Sequence, residues 1–209
     1  MIDNKLITFE GIDGSGKSTQ IGLLNEWFES KDIDPMNIRE PGGNNISESI
    51  RTILLDKENE IDSFSETLLF LAARSQLVDE VIVPALNDDR FVICDRFIDS
   101  TVVYQGYGRG LGVGLINQIN GVATQNILPS LTIYIDIEVE LSINRRKDDL
   151  DDRMEEGGLK FLTNVKKGYD ELALLYPDRI CVIDGDDSIL EIQNKIRYIV
   201  EQKYKEFLC

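Results

Sequence analysis

The 209-residue chain contains no histidine. That excludes a histidine-based catalytic triad and a histidine-ligated metal. Cysteine is nearly as scarce: Cys94, Cys181 and Cys209 make an odd number, with no C-x-x-C spacing. Such usage argues against a disulfide framework or a structural zinc and fits a reducing, cytoplasmic setting. No apolar run approaches the roughly 18 residues that a membrane span requires. The opening MIDNKLITFE lacks the basic start and apolar stretch of a secretory signal. Positive charge is also short. Lys and Arg number 22 against 38 Asp and Glu, a net charge of −16. This balance argues against nucleic acid and anionic membranes as partners, since both need a positive field. Any anion the chain does bind must be met by local cations and backbone N–H groups.

What is present reads as one α/β domain over residues 1–209. Hydrophobic residues make up 42% and charged residues 29%, ordinary values for a globular chain. There is no internal repeat, low-complexity tract or linker. Apolar, β-forming stretches at KLITFE, MNIRE, RFVICD, SLTIYID and ICVID read as strands. Between them lie segments with helical periodicity: KSTQIGLLNEWFES, ISESIRTILLD, SETLLFLAARSQLVDEVIVPAL, LGVGLINQINGVAT, EVELSINRRK, FLTNVKKGYDELALLY and the closing SILEIQNKIRYIVEQKYKEFL. In the long third segment, Leu68, Leu71, Ala72, Val78 and Ile82 are expected near one buried stripe. Alternation of strand and helix predicts a five-stranded, largely parallel sheet with helices on both faces. In such sheets ligands gather at the carboxyl ends of the strands.

The stretch FEGIDGSGKSTQ (9–20) fits G-x-x-x-x-G-K-[ST] and lies between a strand and a helix. Glycines let successive N–H groups face one anion without an intervening Cβ. The helix start adds its positive dipole end. Gly11, Ile12, Asp13, Gly14 and Ser15, then Gly16, Lys17, Ser18 and Thr19, are therefore candidate contacts to ATP. Lys17 would reach the β- and γ-phosphates, and Ser18 would offer its hydroxyl to Mg²⁺. A GTPase would need Asn-Lys-x-Asp after a later strand; the residues following TIYID contain no such motif. A small kinase fits the length and needs an acceptor pocket, several arginines and a charged lid.

Three further stretches supply those parts: REPGGNNISESIR (39–51), LLFLAARSQLVDEVIVPAL (68–86) and DRFIDSTVVYQGYGRG (95–110). With the phosphate loop, in this order and spacing, the chain resembles the thymidylate kinase family over most of its length. The resemblance implies a P-loop nucleoside monophosphate kinase fold with a small lid. It implies transfer of the γ-phosphoryl group of Mg-ATP to dTMP, giving dTDP, with ATP and Mg²⁺ as donor and cofactor and a homodimer as the assembly. It also implies roles. Asp13 would bond the acceptor's 3′-hydroxyl. Phe70 would stack on the base, and Arg74 would bind the base carbonyl or stack beside it. Ser100 and Gln105 would read the pyrimidine edge, and Tyr104 would crowd the 2′ position. Arg51 and Arg96 would hold the acceptor phosphate, with Arg96 also bridging to the transferring group. Glu40 would orient the pocket, and Asp95 would act through water on Mg²⁺. Plainer alternatives stand beside these: core packing for Phe70, solvated helix charges for Arg51 and Arg74, a strand end for Asp95 and a turn for Glu40.

In the same family the charged stretch 145–156 corresponds to a lid carrying a catalytic arginine. No basic residue lies within Ile12–Ser15, so that arginine is expected in the lid: Arg153 first, then Arg145 and Arg146. Some positions depart from the family pattern. Asn44-Asn45 follows EPGG where Thr is frequent, Leu77 stands where His is usual, and Ala73 replaces a commonly acidic residue. A kinase for dUMP or thymidine would use much of the same pocket. A nucleotide-binding protein without catalysis would retain only the phosphate loop.

Overall fold

The structure is a computed structural model that describes residues 4–146 and 158–208. Five strands, β1 (Leu6–Glu10), β2 (Met36–Arg39), β3 (Val92–Asp95), β4 (Leu131–Asp136) and β5 (Ile180–Asp184), form one sheet in the order β2-β3-β1-β4-β5. Every pairing is parallel, with Phe9 opposite both Asp95 and Ile133. All carboxyl ends therefore lie on one edge, and the loops leaving β1, β2 and β3 converge there.

The helices are α1 (Lys17–Glu29), α2 (Asn45–Leu55), α3 (Ser63–Leu77), α4 (Val83–Asn87), α5 (Ile98–Thr101), α6 (Val113–Ala123), α7 (Val139–Arg145), α8 (Gly158–Leu175) and α9 (Ile189–Lys203). Strand residues alternate between two layers, as the pleat requires. Ile7, Phe9, Ile93, Ile133 and Ile135 pack on Leu24 and Phe28 of α1 and on Ile192 and Ile196 of α9. Leu6, Val92 and Cys94 face the other side, against Leu77, Val78 and Ile82. On that same side Val102, Val103, Phe161, Val165 and Tyr169 join α8 to the segment following α5.

The long segment read as one helix is continuous from α3 to α4 but passes through a π turn at Val78–Ile82. Pro84 follows at the start of α4. A proline has no N–H for the preceding turn, and a widened turn accommodates that loss. The expected stripe is corrected in part: Leu71, Val78 and Ile82 are buried, whereas Leu68 is 50% exposed and Ala72 is exposed. Buried Glu66, Thr67 and Arg74 belong to the inward face instead. The helical run through α5 and the π turn Val102–Gly108 was not visible as such in the sequence. Its β-branched and glycine residues are poor helix formers, and burial on the sheet overrides them. Asn44, one of the departures from the family pattern, caps α2 by accepting the Ser47 N–H at 2.8 Å.

Candidate active site

The phosphate loop takes backbone angles that demand glycine. Gly11, Gly14 and Gly16 have φ of 139°, 78° and 95°. A Cβ on Gly11 would sit 2.5 Å from the Ile135 carbonyl oxygen. No side chain caps α1 at Gly16, so the start of the helix is suited to an anion. Lys17 is buried and donates to the carbonyls of Gly11 and Ile12 at 3.0 and 3.2 Å. Burial, then the neighbouring Arg96 cation, push its ammonium down to about 8.

These groups line a cavity of about 630 Å³ bounded by Asp13–Gln20, Arg39, Arg145 and the turn at Gly185–Ile189. Gly11 and Ile12 lie behind this wall and act through Lys17. The Ser18 hydroxyl donates to Asp95 Oδ2 at 3.4 Å. Asp95 Oδ1 and Ser15 Oγ are buried with no hydrogen-bond partner among the described residues. Hard oxygen donors with unmet capacity at the mouth of a glycine cradle fit Mg²⁺ and the phosphates of a nucleoside triphosphate.

A second cavity of about 130 Å³ adjoins the first. It brings together every substrate residue expected from the sequence: Phe70, Arg74, Ser100, Tyr104 and Gln105 line it alone, and Asp13, Glu40, Arg51 and Arg96 line both cavities. Two carboxylates and two guanidiniums therefore stand at the junction.

Arg96 is the centre of that junction. It adopts φ 69°, a left-handed conformation costly for a side chain, and its N–H bonds the Phe9 carbonyl at 2.9 Å. Its guanidinium donates to Asp13 at 2.5 Å, Ser100 Oγ at 3.1 Å and Tyr169 at 3.3 Å, and lies 5.1 Å from the Tyr104 ring centre. Desolvation opposes ionisation of Asp13, but Arg96 and then Lys17 hold its carboxyl well below the usual carboxylate range. The Asp13 side chain is still 38% exposed and open to a ligand. Arg51 donates to the Pro41 carbonyl at 2.9 Å.

Sequence reasoning missed Glu10, which organises this centre. It is fully buried at the end of β1. Its Oε1 accepts the N–H groups of Phe97 and Ser100, and its Oε2 accepts the hydroxyls of Ser100 and Tyr169 at 2.6 and 2.8 Å. Burial, then Asp99, raise this carboxyl to about 7, against the pull of Arg96. Ser100, expected at the base edge, thus has its hydroxyl proton engaged by Glu10.

Arg74 is 2% exposed. All five of its N–H groups are used: two to Glu40 Oε2, two to Thr101 Oγ1 and Asn120 Oδ1, and one to the Phe97 carbonyl. It lines the acceptor cavity without a spare donor, which leaves its planar face for contact with a base. Burial pushes the Glu40 carboxyl up, Arg74 opposes that, and Glu40 Oε1 has no partner among the described residues. The Tyr104 hydroxyl is likewise buried without a hydrogen-bond partner there.

Arg145 and Arg146 both border the phosphate loop: Arg145 donates to the carbonyls of Gly14 and Gly185 at 3.2 and 3.1 Å, and a Cβ on Gly14 would meet Arg146 Cγ at 3.3 Å. Arg153 lies outside the described residues, as does lid segment 147–156.

Comparison with known proteins agrees with this geometry. The family model described as thymidylate kinase matches residues 9–196. A thymidylate kinase of Caldanaerobacter subterraneus subsp. tengcongensis is 44% identical over 201 residues, covering 96% of this chain and 97% of its own. One from Kosmotoga olearia is 46% identical over 203 residues, covering 97% and 94%. The crystal structure of a thymidylate kinase from Ehrlichia chaffeensis superposes with a TM-score of 0.77 at 35% identity, over 95% of this chain and 98% of that one.

Proposed function

The chain belongs to the thymidylate kinase family, and from that premise we propose that it transfers the γ-phosphoryl group of ATP to dTMP, forming dTDP and ADP. The observation that carries the proposal is the meeting of two cavities at Asp13, Glu40, Arg51 and Arg96. The larger holds the triphosphate and the smaller the acceptor, so donor and acceptor phosphates face each other at those four residues.

Phosphoryl transfer asks for positioning and charge neutralisation rather than covalent help. Lys17 and the loop N–H groups hold the donor phosphates. Arg96, braced by Asp13, Ser100 and Tyr169, spans the junction, and Arg51 approaches from the acceptor side. Mg²⁺, held by Ser18 and Asp95, supplies further neutralisation of the phosphate oxygens when bound. No general base is required, because the acceptor phosphate is itself anionic; a chain without histidine suits that chemistry. Asp13 bonds the acceptor sugar, Tyr104 crowds its 2′ position, and Phe70 and Arg74 flank the base. By the family resemblance the catalytic lid arginine is Arg153 first, with Arg145 and Arg146 behind it, in a lid segment at about 145–156 of a single kinase domain.

The protein acts in the cytoplasm; no described helix is long and apolar enough to cross a membrane. It works as a homodimer, a reading supported by exposed apolar side chains on α2, α3 and α6, among them Ile53, Phe64, Leu68 and Val122. The decisive experiment is ADP release from ATP and Mg²⁺ with dTMP, dUMP, dCMP and thymidine in parallel. The fastest turnover is expected with dTMP. Lys17→Ala and Arg96→Ala are each expected to lose most of that turnover while melting cooperatively; unchanged turnover in either overturns the assignment.

A further inference from the structure

We propose that Glu66 is a positioning residue that sets the choice of base: it turns the Gln105 amide so that its carbonyl faces the acceptor cavity, which then takes a pyrimidine bearing N–H at ring position 3 and disfavours a 4-amino pyrimidine. This rests on the reading of the smaller cavity as the nucleotide acceptor site.

Glu66, Phe70 and Arg74 are spaced by four along α3 and so share one face of the helix. Phe70 and Arg74 line the cavity, as does Gln105. The Glu66 side chain is 1% exposed, and Gln105 is 2% exposed. Glu66 Oε1 accepts the Gln105 Nε2–H at 3.0 Å and the Arg109 Nε–H at 3.1 Å, while Oε2 accepts a second Arg109 N–H at 3.1 Å. An ionised carboxylate only accepts hydrogen bonds, and Arg109 only donates them. The network therefore admits one amide orientation, with the NH₂ towards Glu66 and the carbonyl oxygen away from it. No described donor engages that oxygen.

Other polar atoms of this cavity are poorly placed to read a base. The Arg74 donors are all engaged, the Thr101 hydroxyl oxygen accepts from Arg74, and the Ser100 hydroxyl proton goes to Glu10. The Tyr104 hydroxyl, buried without a described partner, belongs to the sugar end in the acceptor reading on which this rests. Asp13, Glu40, Arg51 and Arg96 belong to the phosphate junction, since they also line the donor cavity; Gln105 does not. The base end thus offers an amide carbonyl, a lone-pair acceptor. Thymine and uracil meet it with N3–H. Cytosine presents a lone pair at N3, and two opposed acceptors in a buried site cost roughly a 10- to 100-fold loss, about 1.4–2.8 kcal/mol.

The test compares kcat/KM for dTMP and dCMP in the full-length protein. Glu66→Gln keeps the volume but can donate as well as accept, so the Gln105 amide is free to turn. The dTMP-to-dCMP ratio is expected to fall at least tenfold, through KM for dTMP, with KM for ATP unchanged. The double variant Glu66→Gln/Gln105→Glu places an acceptor-only group at position 105 and an amide donor at 66; it is expected to recover most of the ratio, and it carries the comparison if the single variant does not fold. An unchanged ratio in Glu66→Gln, a parallel rise of both KM values, or no recovery in the double variant overturns the role of Glu66 while leaving the kinase reading intact. A wild-type protein that releases no ADP with any acceptor overturns that reading and this proposal together.

Discussion

At the scale of single residues, the candidate site is a set of buried charges whose partners come from distant parts of the chain. Glu10 shows the consequence. Its carboxyl is raised to about 7, by burial first and Asp99 second, whereas in an unfolded chain it titrates near its usual value of about 4.3. The folded state therefore binds more protons between those values. The stabilising contribution of the protonated form is complete below the unfolded pKa and is lost as pH rises through about 7. Glu10→Gln mimics the neutral acid: its carbonyl can accept the Phe97 and Ser100 N–H groups, and its NH₂ can donate to the Ser100 and Tyr169 oxygens. The variant is expected to gain on the wild type by on the order of 1–3 kcal/mol between pH 5 and pH 8. Denaturant unfolding at the two pH values measures this, and a constant difference would refute it. Such pairings explain what the sequence hid. The phosphate loop was legible because its spacing is local and its chemistry specific; Phe70 and Arg96 entered only through the family resemblance. Glu10, Tyr169 and Glu66 were not legible, since their partners lie tens of residues away and nothing local marks them; only the four-residue step from Glu66 to Phe70 offered a signal. Arg74 and Ser100 were assigned to the base by resemblance, but residue type alone could not reveal that their donors are already engaged.

At the scale of elements, helix and strand periodicity was readable wherever burial is one-sided, as in α1 and α9. It failed in the run from Ile98 to Gly108, which is buried on several sides and carries residues that disfavour helix. What shapes that run is its contact with α8. A Cβ on Gly168 of α8 would lie 2.9–3.0 Å from the Tyr107 ring and 3.1 Å from Val103 Cβ. The Tyr107 ring cannot easily retreat, because its hydroxyl bonds Glu171 at 2.7 Å. Gly168→Ala therefore sets two effects against each other: a helix-propensity gain of up to ~1 kcal/mol and an overpacking cost of about 1–3 kcal/mol. The overpacking term wins, and the melting temperature is expected to fall. Turnover is expected to fall as well, because Tyr169, the next residue, bonds Glu10 and Arg96. A variant as stable and active as the wild type would show that α8 does not brace Arg96.

At the scale of the whole molecule, alternation of strand and helix was enough to foresee a parallel sheet, but the strand order β2-β3-β1-β4-β5 was not contained in any periodicity. It depends on which crossovers the helices can pack, a property of the assembled layers. Charge, by contrast, is legible from composition alone. The cations Lys17, Arg39, Arg51, Arg96 and Arg145 gather around one cavity, while the chain as a whole carries −16. Outside the site the surface is therefore strongly acidic, and self-repulsion opposes the compact state. The ions of a neutral salt shorten the reach of that repulsion, from a Debye length of about 30 Å at 0.01 M to about 8 Å at 0.15 M. They also weaken exposed ion pairs such as Arg39–Glu48 and Lys195–Asp187, but such pairs contribute only about 0–1 kcal/mol each. Buried pairs such as Arg74–Glu40 are screened far less. Relief of the net repulsion is the larger effect, so the melting temperature of the ligand-free protein at pH 7 is expected to rise as sodium chloride increases from about 0.01 to 0.15 M. A melting temperature that falls over this range would mean that exposed ion pairs, rather than self-repulsion, dominate the electrostatics of the fold.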